Sequence, residues 1–229
     1  MSFGENIQKL KKDIRDAAVS ANRHPGDIRL VIVTKTVSPE GIREAYDSGE
    51  RDFGENRVQE WRKKKDALPA DIRWHLIGPL QTNKVRHVVG QVHLIHSLDR
   101  VELAGEIERQ AEKRSVAAVP CLIQVNMSGE ETKSGIEPEK ASWLASEITK
   151  LPRIKVKGIM TIGPLTDDEA RIRECFKRTG ELLAMLRAEH AAHSWDILSM
   201  GMSGDFRIAV AEGSTLLRIG TLVFGERKQ

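Results

Sequence analysis

Apolar and polar positions along this chain switch repeatedly between two spacings. Ile7, Leu10, Ile14, Ala17 and Ala18 recur at helical intervals and predict a helix over Ile7–Ala21. Four consecutive apolar residues, Leu30–Val33, come next; three are β-branched, and a strand buried on both faces is expected over Leu30–Thr34. The same change of period recurs to the far end. Further helices are expected over Glu40–Ser48, Arg57–Ala67, Gln81–Val89, Asp99–Arg114, from Pro138 to about Leu151, over Asp168–Ala188 and from Asp205 to near Gly213. Strands are expected at Asp52-Phe53, Ile72–Ile77, Val92–His96, Val119–Val125, Ile154–Ile159, Trp195–Leu198 and Leu216–Ile219. Ser97 is expected to cap the Asp99 helix.

Strands and helices alternating in this way imply a parallel α/β sheet. Eight repeats suggest closure into a single-domain (β/α)8 TIM barrel, a fold of about 250 residues, here spanning 1–229 with residues 1–25 as an N-terminal helix packed on the barrel. An open doubly wound sheet would carry a glycine-rich turn after its first strand, and Thr34–Glu40 contains no glycine.

The totals narrow the function classes. Thirty-six basic residues against 33 acidic leave a net charge of +3, with no basic block interleaved with aromatics, so nucleic acid is not an expected partner. Lys63-Lys64-Lys65 is the basic triplet and reads as a solvated helix face. Cys121 and Cys175 fall in different predicted elements and read as buried small hydrophobes of a reducing compartment. No apolar run approaches the roughly 18 residues needed to span a bilayer, and the N-terminal segment resembles neither a signal nor a transit peptide. The expected location is the cytoplasm, with no membrane partner.

Candidate chemistry gathers at strand ends. Lys35 follows the first strand directly, at the carboxyl end where parallel sheets place their sites. Desolvation there would lower its pKa and make it an amine nucleophile; a lysine snorkelling to the surface is the alternative. Barrels often bind phosphate at the loops after strands seven and eight, and these loops carry Ser203-Gly204 and Gly220-Thr221. Glycine admits close backbone approach, hydroxyls donate, and a helix opening at Asp205 adds its positive end. A phosphate site beside a first-strand lysine describes pyridoxal 5′-phosphate, whose aldehyde would form a Schiff base with Lys35. Arg218 lies two positions before Gly220, on the same strand face, where it can meet the pyridine nitrogen or pair with an acid.

Asn56, His75, Met160 and Ser199 are further candidate cofactor contacts at strand ends. His75 is equally compatible with a satisfied core histidine, Asn56 and Asn126 with turn residues, and Met160 and Met200 with packing. His93 and His96 are three apart on a strand and point to opposite faces, so no metal site is expected.

These stretches also carry a resemblance. TKT at 34–36, FGEN at 53–56, WHLIGPLQTNK at 74–84, KSGI at 133–136, SMGMSGD at 199–205 and EGSTLLRIGTLVFG at 212–225 resemble the pyridoxal phosphate homeostasis proteins, the YggS-like or proline synthetase co-transcribed group. The resemblance covers about Leu30 to Gly225. It implies a barrel like that of alanine racemase and the fold-type III enzymes. It further implies Lys35 as the Schiff-base lysine, Ser203, Gly204, Gly220 and Thr221 around the phosphate, and Arg218 at the ring nitrogen. Racemases of that fold use a tyrosine from a second domain as their second base. The lone tyrosine here, Tyr46, lies in a predicted outer helix. The resemblance therefore implies a monomeric cofactor carrier, with no catalytic residues, acting in intracellular vitamin B6 homeostasis with apo-enzymes as partners. A fold-type III enzyme such as an amino-acid racemase and a phosphate-sugar barrel enzyme are the alternatives.

Overall fold

The computed structural model describes residues 2–226. Its strands β1 (Arg29–Val33), β2 (Asp52–Glu55), β3 (Arg73–Leu76), β4 (Leu94–Leu98), β5 (Val119–Gln124), β6 (Ile154–Met160), β7 (Ile197–Ser199) and β8 (Leu216–Ile219) pair in parallel and in chain order. β8 returns to β1, with Ile219 opposite Ile32, and closes the barrel. Around it lie α1 (Phe3–Ser20), α2 (Pro39–Asp47), α3 (Val58–Lys64), α4 (Val85–Val88), α5 (Val101–Lys113), α6 (Ala141–Thr149), α7 (Glu169–Glu189), α8 (Phe206–Ala211) and α9 (Thr221–Phe224).

Most expected elements appear within about two residues of their predicted ends, and the departures have local causes. Ser97 does not cap α5: β4 runs on to Leu98, Ser97 is buried in it, and α5 starts after Arg100 with no side-chain cap. The helix expected over Arg57–Ala67 tightens into a 3₁₀ turn after Lys64, and Pro138 opens a 3₁₀ turn rather than α6 itself. The short helix α9, directly after β8, was not expected from the sequence pattern.

Two apolar layers hold the fold. The larger lies between barrel and helices and contains Ile32, Phe53, Trp61, Leu103, Phe176 and Trp195. The smaller fills the barrel with Val31, Leu94, Leu122, Met160, Ile197 and Leu216, one inward side chain from each of six strands. Each such burial contributes on the order of 1.5–3 kcal/mol. β6 can approach β7 only because residue 158 is glycine. Its φ is +148°, and a Cβ there would lie 1.8 Å from the Ile197 carbonyl oxygen.

A capping box starts α1: Ser2 Oγ accepts from Glu5 N–H at 3.2 Å and Ser2 N–H donates to Glu5 at 2.7 Å. The helix buries Ile7, Leu10, Ile14 and Ala18 against α2, α8 and α9. Asn6 donates to the Val223 carbonyl at 2.9 Å, and Phe3 meets Phe224 edge-on at 5.0 Å. Cys121 and Cys175 are buried and unbridged, and burial raises both thiols, that of Cys175 to about 11. Among the described residues no helix is long and apolar enough to cross a membrane.

Candidate functional site

A cavity of about 850 Å³ opens at the carboxyl ends of the strands. The strand pleat decides what faces it. From Val31 inside the barrel the period of two brings Val33 and Lys35 inward, and from Leu216 it brings Arg218 and Gly220. Seven of the ten expected site residues line this one cavity: Lys35, Asn56, Ser203, Gly204, Arg218, Gly220 and Thr221. Asn56 is held at the rim by a close crossing of two loops, since a Cβ on Gly78 would lie 2.3 Å from the Asn56 carbonyl oxygen.

Lys35 itself is exposed, which corrects the expectation of a desolvated ammonium. The last buried residue of that segment is Thr34. The chain then turns at Thr36, whose φ is +64°, and lifts position 35 to the cavity rim. A threonine in the left-handed region is strained and persists only when its surroundings hold it. The holding group is one the sequence pattern misplaces. Lys64, expected on a solvated face, is 7% exposed, and its Nζ donates to the Thr34 carbonyl at 2.9 Å, Glu55 Oε1 at 2.8 Å and Glu60 Oε1 at 2.6 Å. Glu55 Oε1 also accepts from Thr34 Oγ1 at 2.6 Å, and Glu60 Oε1 accepts the Thr36 N–H. Lys35 is thus bracketed by residues tied to one buried ion cluster. Burial pushes the Glu55 carboxyl up, against the hydrogen bonds from Lys64 and Thr34.

At the opposite wall, Asp205 Oδ1 accepts the Met202 N–H at 2.6 Å and folds the Met202–Asp205 turn. Among the described residues no acceptor takes up the backbone N–H groups of Ser203, Gly204 or Thr221. Thr221 begins α9, so its N–H belongs to the unpaired first turn of a helix. With the Ser203 and Thr221 hydroxyls these donors line one wall of the cavity, a set of the kind that can receive an anion. A fixed cation stands below. Arg218 is buried and remains charged, although burial pulls it down to about 10. On the cavity wall Gln124 Oε1 is buried without a hydrogen-bond partner, while its Nε2 donates to the Ser134 carbonyl at 2.9 Å. This donor and acceptor set suits a ligand with a phosphate at one end and polar ring substituents at the other.

Three expected contacts do not reach the cavity. Met160 belongs to the apolar barrel filling, His75 is buried between Asp52 and His96, and Ser199 is buried beneath Arg218. Asn126 instead braces its own loop through the Glu130 carbonyl at 3.0 Å. The sequence pattern did not single out Gln124, Lys64, Glu55 or Glu60. Period two places Glu55 on the face of buried Phe53, and a carboxylate on a buried face needs a cation, which was the available signal. At the opposite end of the barrel Asp52, His75 and His93 bring ligand-type atoms within 4.8 Å of one another, a combination the spacing of His93 and His96 did not suggest. The Arg73 guanidinium already takes both Asp52 oxygens as a fork, so that cation answers the carboxylate's charge without a metal ion.

Residues 6–228 match the family model described as alanine racemase, N-terminal domain. A pyridoxal phosphate homeostasis protein of Aquifex aeolicus is 46% identical over 229 residues, which is 100% of both chains. The chain belongs to the pyridoxal phosphate homeostasis protein family. PipY of Synechococcus elongatus, solved with pyridoxal phosphate bound, superposes with a TM-score of 0.84 at 32% identity, covering 97% of this chain and 100% of that one. An alanine racemase of Clostridium difficile shares the fold alone, at 14% identity and a TM-score of 0.77; the match covers 100% of this chain and 57% of the racemase. In this chain the residues just after β1, β7 and β8 meet in one cavity.

Proposed function

We propose that this protein binds pyridoxal phosphate at the carboxyl end of its barrel and holds it for intracellular vitamin B6 homeostasis, as a carrier with no catalytic step of its own. The observation that carries the reading is the convergence in one cavity of an exposed lysine amine, a cradle of unpaired N–H and hydroxyl donors, and a buried arginine. Pyridoxal phosphate brings an aldehyde that condenses with a primary amine, and a phosphate that anchors it. Lys35 presents that amine, oriented by the Lys64 cluster on either side of it. Ser203, Gly204, Gly220 and Thr221 bind the phosphate, and Arg218 faces the ring nitrogen as a permanent cation. A cation there opposes protonation of that nitrogen and so weakens the ring as an electron sink, which suits storage better than turnover.

Tyr46, the lone tyrosine, supports the non-catalytic reading. Its hydroxyl donates to Asp71 at 2.7 Å and Arg51 lies 3.8 Å over its ring, on the outside of the barrel. We place the protein in the cytoplasm as a monomer that passes cofactor to apo-enzymes. The deciding experiment adds pyridoxal phosphate, reduces with borohydride and maps the labelled peptide. Visible absorbance with a label on Lys35, absent in Lys35→Ala, is the expected result. A protein that stays colourless, or a label elsewhere, refutes the reading. Chiral inversion of L-alanine above the Lys35→Ala background would replace the carrier with an enzyme.

A further inference from the structure

Polar side chains are rare inside a barrel this small, yet here they form a continuous column along the axis. Arg73 forks onto Asp52, with Nε to Oδ1 at 2.8 Å and Nη2 to Oδ2 at 2.5 Å. Asp52 Oδ1 meets His75 Nε2 at 3.0 Å, and His75 Nδ1 meets His96 Nε2 at 3.0 Å. His96 Nδ1 meets Ser199 Oγ at 3.3 Å, which Arg218 Nη1 reaches at 2.7 Å; Arg218 Nη2 donates to the Thr161 carbonyl at 2.8 Å. His75, His96, Ser199 and Arg218 are all buried.

With both buried imidazoles held neutral by their burial, the two ends set every proton between them. Arg218 can only donate, so Ser199 Oγ accepts from it and turns its own O–H to His96 Nδ1. His96 Nε2–H then donates to His75 Nδ1, and His75 Nε2–H to the Asp52 carboxylate, which only accepts when ionised. Both imidazoles are neutral and share one tautomer. Burial lowers both, and the charges facing them reinforce it. Arg29 and His93 lie near both rings and Arg218 near His96, while Asp52 partly offsets the burial of His75. Asp52 stays ionised because Arg73 and His75 outweigh the burial that pushes it up.

We propose that His75, His96 and Ser199 are positioning residues that hold the Arg218 guanidinium at the cavity floor and connect it to the Asp52–Arg73 ion pair at the opposite end of the barrel. Among the described residues no carboxylate contacts Arg218; its acceptors are a serine hydroxyl and a backbone carbonyl. Without Ser199 anchored by the histidines, only the Thr161 carbonyl would fix the guanidinium plane. The functional part of the assignment rests on the cofactor reading above, because the group Arg218 meets is the pyridine ring.

Two measurements test it. NMR of the imidazole nitrogens in the unloaded protein should show His75 and His96 as neutral Nε2–H tautomers from about pH 5 to 8. A cationic ring or an Nδ1–H tautomer at either position overturns the column. Titration with pyridoxal phosphate should then show about tenfold weaker retention in His96→Leu and Ser199→Ala, the loss typical of one charge-assisted hydrogen bond. The pH at which the bound cofactor's absorbance changes should shift as well. His96→Gln, whose amide can donate to His75 and accept from Ser199, should restore both. Equal behaviour of the Leu and Gln variants refutes the link to Arg218, since a purely packing role would not separate them. A wild-type protein that takes no cofactor refutes the binding reading instead. The column is then decided by the tautomers and by whether Ser199→Ala moves the Arg218 guanidinium resonance.

Discussion

Replacing Lys64 by methionine should cost this protein about 3–5 kcal/mol, the usual consequence of removing one partner from a buried ion pair. Typical domains have about 5–15 kcal/mol in all, so the loss is a large fraction. The side chain of Glu55 is 1% exposed and that of Lys64 8%, so solvent cannot take over the lost charge. Glu55 Oε2 already lacks a hydrogen-bond partner, leaving Thr34 Oγ1 as the remaining donor to this carboxylate. The variant should therefore keep Glu55 protonated to higher pH than the wild type. Its folded pKa, raised by burial even beside Lys64, rises further. The sign follows from proton linkage: a carboxyl whose folded pKa lies above its unfolded value of about 4.3 loses stability as pH rises through that interval. Urea unfolding at about pH 5 and about pH 8 should show the variant's deficit growing with pH, with a midpoint shift of about 1–2 M at the higher value. Glu55→Gln in the same chain should recover most of it. A deficit below about 1 kcal/mol, or one independent of pH, would refute the buried-pair argument. The same variant frees the Thr34 carbonyl and loosens the strained Thr36, so its cofactor affinity should fall even where it remains folded.

Other perturbations separate the parts of the site. Ser203→Ala and Thr221→Ala should each weaken retention of pyridoxal phosphate by about 1–3 kcal/mol in equilibrium dialysis, and unchanged affinity in both would remove the phosphate assignment. Lys35→Ala should abolish the borohydride-stable label while leaving the melting temperature within about a degree or two, because an exposed rim residue contributes little packing. Gly158→Ala should destabilise by about 3 kcal/mol or more, overpacking added to a disallowed φ; a wild-type urea midpoint would contradict the close β6–β7 crossing. Asp52→Ala should destabilise at neutral pH and match wild type in acid. A carboxyl held below its ordinary pKa by Arg73 and His75 contributes stability above about pH 4 and loses it as pH falls through the lowered value.

Period two and period 3.6 are local signals, and what they carry was legible: eight strands, their order, Lys35 at the carboxyl end of the first, and the shared face of Arg218 and Gly220. The convergence of Ser203, Gly204, Gly220 and Thr221 on one wall was legible because they lie in two short loops at strand ends. Lys64 was misread because three consecutive lysines on a helix point about 100° apart, so a triplet cannot occupy one face and one member turned inward. Ser97 was misread because a serine before a helix resembles a cap whether or not the strand has ended. His75 and Ser199 were expected as cofactor contacts and sit one layer below the cavity. Their partners are 21 and 103 positions away in His96, and pairings of that span leave no mark on local spacing.

The cavity draws its lysine from just after the first strand and Gly220 and Thr221 from just after the last. On a ribosome the chain is extended at about 5–20 residues per second, so β1 waits on the order of ten seconds or more before β8 emerges to cover its open edge. During that interval β1 can pair with β2 on one side, but its other edge stays open on an apolar, β-branched strand, the kind of edge that seeds aggregation. Loss of the last strand would therefore remove Arg218 and also return that edge to solvent. A nascent chain fused ahead of β8 should bind a holdase chaperone, and release should coincide with the first ability to retain pyridoxal phosphate.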